Sequence, residues 1–198
     1  LPDEWVQGDD GALYYRTCVI NSRVVSACEI GYTGPGGGLV FYKADNAESW
    51  GQYLEMAPKT WNTEALISKW CDKVKTTDNA PKIPRLTGEF GTAIGTGAQN
   101  TVLMAEQCEG GAGKSASLYE GGGKKDWFLP SKDELKQMQS IKLKNGGYWS
   151  SSQLELCVSG CSFDNRSAWS LQIGGIVGGI EYPAEFTFEQ NVRPVRAF

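Results

Sequence analysis

Between Gly121 and Ser152 the chain runs through a triple glycine, an aromatic triplet, a proline, a helix-start signal and a glycine pair, each restricting the backbone differently. Trp127-Phe128-Leu129 is an apolar run bounded by glycines and a proline. It is too short for a helix and suits a buried strand. Ser131 followed by Glu134 is a capping box: the hydroxyl accepts from the Glu134 N–H, and the carboxylate accepts from the Ser131 N–H. Leu135, Met138 and Ile141 give the helix that follows one apolar stripe. Asn145-Gly146-Gly147 is expected to end it, because Asn and Gly tolerate the left-handed backbone. Tyr148-Trp149 then opens a second aromatic strand. The stretch is a framework, and no catalytic group stands out in it.

At 198 residues the chain is long enough for one domain with a sizeable core, and no linker divides it. Its 25 Gly and 7 Trp point to a turn-rich, aromatic-cored, mostly β protein. No run approaches the roughly 18 apolar residues of a membrane span. The chain starts at Leu1 without a charged-then-apolar leader, and reads as a mature or excised fragment. The net charge of −4 is unevenly placed. Residues 1–57 hold eight acids against three bases, whereas 114–144 hold seven lysines against four acids, a local balance of +3.

In chain order, residues 1–13 read as a polar, acidic lead-in. Tyr14–Val19 and Arg23–Ile30 read as a hairpin about Asn21-Ser22. Gly34-Pro35-Gly36 is a single triplet without a collagen repeat, so it reads as a turn before the strand Leu39–Tyr42. Trp50–Ala57 reads as another strand. Trp61, Leu66, Trp70 and Val74 have helix-like spacing, which predicts a helical segment within 60–75, followed by a loop over 76–90. A clearer helix spans Ala98–Cys108. Cys108 to Ser115 falls one glycine short of a phosphate-binding loop and follows a helix where that motif needs a strand, so it reads as a glycine-rich surface loop. Ala168–Ile173 and Gly175–Ile180 read as a hairpin. Arg193 and Arg196, three apart in a closing strand, would face opposite ways, leaving at most one of them buried.

Six Cys and no His bound the chemistry. Without His, Ser–His–Asp and Cys–His sites are excluded. Without a C-x-x-C pair, zinc lacks its usual ligand spacing. Asp164-Asn165 cannot alone fill the six to eight oxygen positions that calcium takes. Spacing favours disulfides at Cys18–Cys28, Cys71–Cys108 and Cys157–Cys161, one pairing of fifteen, with free thiols in a reducing compartment as the alternative.

Asp126-Trp127-Phe128-Leu129-Pro130-Ser131-Lys132-Asp133-Glu134-Leu135, Gly147-Tyr148-Trp149-Ser150-Ser151-Ser152, Ala168-Trp169 and Val192-Arg193-Pro194-Val195-Arg196 resemble a widespread bacterial domain family. Gly34–Tyr42, Leu54–Pro58 and Ile94–Thr101 resemble it in the same order. That family has the C-type lectin-like fold and includes the C-terminal domain of a collagen-like adhesin. The resemblance implies an α+β domain over 31–198, mostly antiparallel with two main helices and long loops, behind an N-terminal extension over 1–30. It also implies that the terminal strands pair, which would bring Leu39–Tyr42 near Val192–Ala197. Its functional implication is an extracellular adhesin module, trimeric where three stalk chains meet, binding sulfated glycosaminoglycan. Lys114, Lys124, Lys125, Lys132, Lys136, Lys142 and Lys144 would supply the charges, unless they are simply a solvated face. The alternative is a phage-tail or retroelement-diversified receptor-binding protein on the same fold, making its contacts through the Gln153–Arg166 loop and near Tyr148 and Trp169. Formylglycine-generating enzymes share this fold, but their reactive cysteine pair has no counterpart here. The reading is therefore a binding module, not an enzyme, without cofactor, nucleic-acid partner or membrane insertion.

Overall fold

The computed structural model describes residues 5–7, 13–15, 18, 20–21, 24–25, 28–62, 67–75, 85–141, 143–154, 166–174 and 179–198. Trp5–Gln7 (β1) pairs antiparallel with Leu13–Tyr15 (β2), so the expected lead-in carries a strand. Ile20–Asn21 (β3) pairs with Val24–Val25 (β4), a short pairing near the expected turn, but Tyr14 and Tyr15, expected in the hairpin's first strand, pair with β1 instead. The Cys18–Cys28 disulfide closes around the β3–β4 pair and packs with Val40 and Tyr53.

Leu39–Glu48 (β5) turns into Gly51–Met56 (β6) as an antiparallel pair. A short strand, Ile67–Lys69 (β7), stands where the spacing of Trp61, Trp70 and Val74 predicted a helix. Tertiary pairing decides this segment, because its backbone bonds go elsewhere in the fold. The Trp70 N–H donates to the Phe186 carbonyl, and Val74 bridges to Cys108. Trp70 and Val74 are buried all the same, so the spacing marked core residues but not their backbone state.

Gly97–Gln107 (α1) fulfils the predicted helix, and the disulfide Cys71–Cys108 ties its C-terminal end to the chain after β7. Ala112–Ser117 (α2) is a short helix inside the segment read as a surface loop. The Ser131 capping box is present in full at the start of Lys132–Gln137 (α3). Leu135, Met138 and Ile141 are buried as its stripe predicts. The helix does not run to Asn145: α3 stops at Gln137, and Met138–Ser140 tightens into one 3₁₀ turn. Gly146 and Gly147 instead begin the next strand, Gly146–Gln153 (β8), paired with Ile173 and Gln172.

Ser167–Ile173 (β9) pairs with Ile180–Glu185 (β10), so the return strand of the predicted hairpin lies further on than Gly175–Ile180. Residues 175–178 fall outside the described residues. Glu189–Asn191 (β11) and Val195–Ala197 (β12) close the chain. The protein is α+β with mixed sheets. One sheet has the order β10-β9-β8-β11-β7, where β11 is parallel to β8, and a second has the order β12-β6-β5. β12 therefore pairs with β6, which separates it from β5; the two terminal strands share a sheet without touching as a pair.

Trp127-Phe128-Leu129 is buried as expected but contributes one bridge, Phe128 with Val195, and no continuous strand. The Leu129 N–H goes to the Thr101 hydroxyl (2.9 Å), and Pro130 has no N–H to continue a ladder. Neighbouring residues here feed opposite cores. Leu129 and Trp149 join Trp70, Met104 and Phe186, while Phe128 and Tyr148 join Phe41, Leu135 and Met138. Arg193 and Arg196 are both buried, at 5% and 9% exposure, against the expectation of one. Arg193-Pro194 precedes β12, so strand alternation does not relate the two arginines.

Candidate functional site

The acids nearest the core serve the frame. Glu55 on β6 is fully buried and accepts from the Gly36 and Gly38 N–H groups and from Arg196 Nη1 (2.9 Å each). Arg196 Nε donates in turn to Asp126 (2.6 Å), whose side chain is 59% exposed. Burial pushes the Glu55 carboxyl up, against Arg196 and the two N–H groups that pull it down. For Arg196 burial works against the charge, yet Asp126 and Glu55 hold it above its ordinary value. Gly34 and Gly36 leave the room that Glu55 occupies, while Gly37 turns the backbone at φ 77°. A Cβ at Gly36 would lie 2.7 Å from the Trp127 ring and 2.8 Å from Glu55 Oε1. The turn is a cradle for a buried carboxylate.

Glu134 is likewise fully buried and accepts from the Ser131 N–H (2.7 Å) and the Gly95 N–H (2.8 Å). Burial pushes its carboxyl up, opposed first by the Ser131 N–H and then by Gly95. The hydroxyls of Ser150, Ser151 and Ser152 donate to the carbonyls of Trp169, Pro130 and Gly91, and the Gln153 amide pairs both ways with the Leu86 backbone. These polar groups are structural, each committed to a neighbouring strand or loop. Among the described residues no three His, Cys, Asp or Glu side chains gather as a metal-ligand set. No helix among them is long and apolar enough to cross a membrane.

The lysines of 114–144 face several neighbours. Lys114 on α2 donates to the Glu109 carbonyl (2.9 Å). Lys124 is half-buried, and Lys125 pairs with Glu120 at 3.2 Å across the glycine turn. Lys132 stands 3.9 Å over the Trp169 ring, and Lys136 pairs with Glu181 on β10 at 3.3 Å. Lys144 is exposed, beside a different set of cations. Lys142, Cys157 and Cys161 lie outside the described residues, as does all but the ends of the Gln153–Arg166 loop.

Two concavities stand out. A groove of about 570 Å³ runs between α1 and the chain at 125–128, floored by Ala98, Val102, Ala105, Trp127 and Phe128. Three of its rim charges are engaged: Lys75 Nζ donates to the Ala105 and Glu106 carbonyls, Lys125 pairs with Glu120, and Asp126 holds Arg196. The second, much smaller, is lined by Lys59, Trp61, Lys144, Tyr148, Asn191, Val192 and Arg193, with no carboxylate among the described residues of its wall. Lys144 was legible as part of the lysine-rich segment. Lys59 and Trp61 lie in one turn and Arg193 near the end of the chain, and nothing in the sequence joins either stretch to Lys144. No family model, curated protein or solved structure matches the chain.

Proposed function

We propose that this chain is an extracellular ligand-binding module on a C-type lectin-like frame, of the bacterial adhesin type, that holds sulfated glycosaminoglycans or similar polyanionic glycans. It acts as a homotrimer and performs no catalysis. The observation that carries the reading is the fate of the acids. Of the four acids among the seven lysines of 114–144, Glu134 is buried in the cap of α3 and Asp126 is engaged by Arg196. Burial of Glu134 takes one acid of this segment away from solvent, while among the described residues Lys114 and Lys132 form no ion pair with an acid. Two bridged cysteine pairs support an oxidising compartment. Lysines spread over a turn and a helix suit a flexible polymer, which point charges steer and hold without a shaped pocket.

Binding of this kind is electrostatic, so affinity for heparin-like polymer falls steeply as salt rises. Replacing Lys124 and Lys125 together by Ala should weaken that binding roughly tenfold at low salt, since each exposed contact is worth only a fraction of the whole. The thermal midpoint should hardly move, because the Lys125–Glu120 pair is exposed on both sides. Unchanged polymer affinity in this variant, measured by titration at low salt, overturns the assignment to this face.

A further inference from the structure

We infer that Glu55 is a proton-operated latch beneath the turn at 121–125, and that protonating it lets Lys124 and Lys125 hold a polyanion more tightly in mild acid. The inference rests on the reading above that these lysines meet the polymer, and it adds the regulation of that face. The first support is the set of partners around the carboxylate. Oε1 accepts from the Gly36 N–H and from Arg196 Nη1, at 2.9 Å each. Oε2 accepts from the Gly38 N–H at 2.9 Å and from the Gly36 N–H at 3.1 Å. Each oxygen thus faces two donors. A proton taken from solvent onto either oxygen meets an N–H head-on, so at least one donor has to withdraw. On Oε1 it displaces Arg196 or Gly36, and on Oε2 it displaces Gly38 or Gly36. Arg196 stays tied to Asp126 through Nε in either case.

The second support is contact. The Gly34–Gly38 turn closes on itself, with the Gly34 N–H on the Gly38 carbonyl (2.8 Å) and the Gly37 N–H on the Gly34 carbonyl (3.0 Å), so it shifts as a unit. The lysine turn rests against it. A Cβ at Gly122 would collide with the Gly36 carbonyl oxygen, and one at Gly121 with the Tyr119 hydroxyl. The Trp127 ring lies against Gly36, and its indole N–H donates to the Gly121 carbonyl (3.1 Å). Arg196 meanwhile joins Glu55 to Asp126, the residue next to Lys125. The buried acid therefore reaches the lysine turn along two routes, one of packed backbone and one of charge.

Charge sets the direction. The groups around Glu55 come from three places: Arg196 on β12, Asp126 before Trp127, and Tyr119 just after α2. The glycine turn and Val40, the partner of Glu55 across β5, bring no titrating group. Lys124, Lys125 and Glu120 lie beyond, on the lysine turn. Burial pushes the Glu55 carboxyl up, against Arg196, Gly38 and Gly36, so it takes its proton above the ordinary carboxylate value of about 4.3. Burial and then Glu55 push the Tyr119 hydroxyl up, against Arg193, so Tyr119 keeps its proton throughout. Protonating Glu55 leaves Arg196 with Asp126 as its charged partner and adds one positive charge beneath the lysines. Point charges act without a shaped fit, so the added charge outweighs any loosening of the turn. By linkage, a polyanion binding there draws a proton onto Glu55.

The test follows isotopically labelled protein by NMR as pH falls from neutrality into mild acid. The Gly36 and Gly38 amides and the Arg196 Nε–H should move with one midpoint above the ordinary carboxylate range. The Gly122 and Lys124 amides and the Trp127 indole should move with the same midpoint. Affinity for heparin at fixed salt should rise roughly fivefold across that transition, the scale of one added charge. Calorimetry in two buffers of different ionisation heat should show proton uptake on binding. Glu55→Gln should bind heparin more tightly than the parent at neutral pH and lose the shared transition, the rise and the uptake. Gly36 and Gly38 signals without such a midpoint, or lysine-turn signals that ignore it, overturn the latch. That arm uses the parent alone, so it decides even where Glu55→Gln fails to fold. Heparin affinity that stays flat across the transition, or a rise that persists in folded Glu55→Gln, overturns the regulation. A shared transition in a protein that binds no heparin at any pH supports the latch and removes the polymer reading.

Discussion

Glu134 shows how one residue can look functional in a sequence and be structural in the fold. Beside Asp133 it forms a carboxylate pair, yet it is fully buried and receives backbone N–H groups from its own cap and from Gly95. Its carboxyl is raised by burial, so the folded chain holds that proton more tightly than the unfolded chain. The resulting stabilisation is complete below the unfolded value, near about 4.3, and is lost as pH rises through the folded value. Glu134→Gln removes the titrating group. The midpoint difference between parent and variant should therefore shrink as pH rises from the acid side toward neutrality. Thermal melts over that range check this, and a difference that widens with pH would contradict it. The capping role itself was readable, because Ser131 and Glu134 are local partners. The Gly95 contact was not, since it joins residues far apart in the chain.

At the scale of elements, the strongest covalent restraint lies between β7 and α1. Cys71–Cys108 spans 37 residues of sequence, and its Cα atoms are 5.7 Å apart. It fastens a three-residue strand that, among the described residues, has one sheet neighbour, the equally short β11. The loop-entropy model puts such a closure at about 4 kcal/mol, more than a short loop such as that of Cys18–Cys28 would supply. The double variant Cys71→Ser, Cys108→Ser should lose about that much in denaturant unfolding, and more than Cys18→Ser, Cys28→Ser. A larger loss from the N-terminal pair would mean that β7 is held chiefly by packing. The same region is where periodicity misled. Trp70 and Val74 are interior and Trp61 half-buried at helical spacing, but short apolar runs do not distinguish helix from strand, and the partners that decided between them come from residues 107–112 and 186–191.

At the scale of the whole molecule, the homotrimer is tested by light scattering at micromolar protein. A mass near three chains is expected, and 21.6 kDa, the mass of one chain, would remove both the trimer and the avidity it lends to weak lysine contacts. Within one chain, two cores are joined through Phe128-Leu129 and Tyr148-Trp149, whose adjacent side chains enter opposite clusters. The sequence by itself determined what depends on near neighbours: the Ser131–Glu134 cap, the stripe of α3, helix α1 and the aromatic strand at Tyr148. These rest on periodicity and on hydrogen bonds within a turn. Only tertiary structure decided that Gly34–Gly38 cradles Glu55, that both closing arginines are buried, that β6 lies between β5 and β12, and that Lys59 and Arg193 meet Lys144. Each of these joins residues distant in sequence, and no local propensity records such a partner.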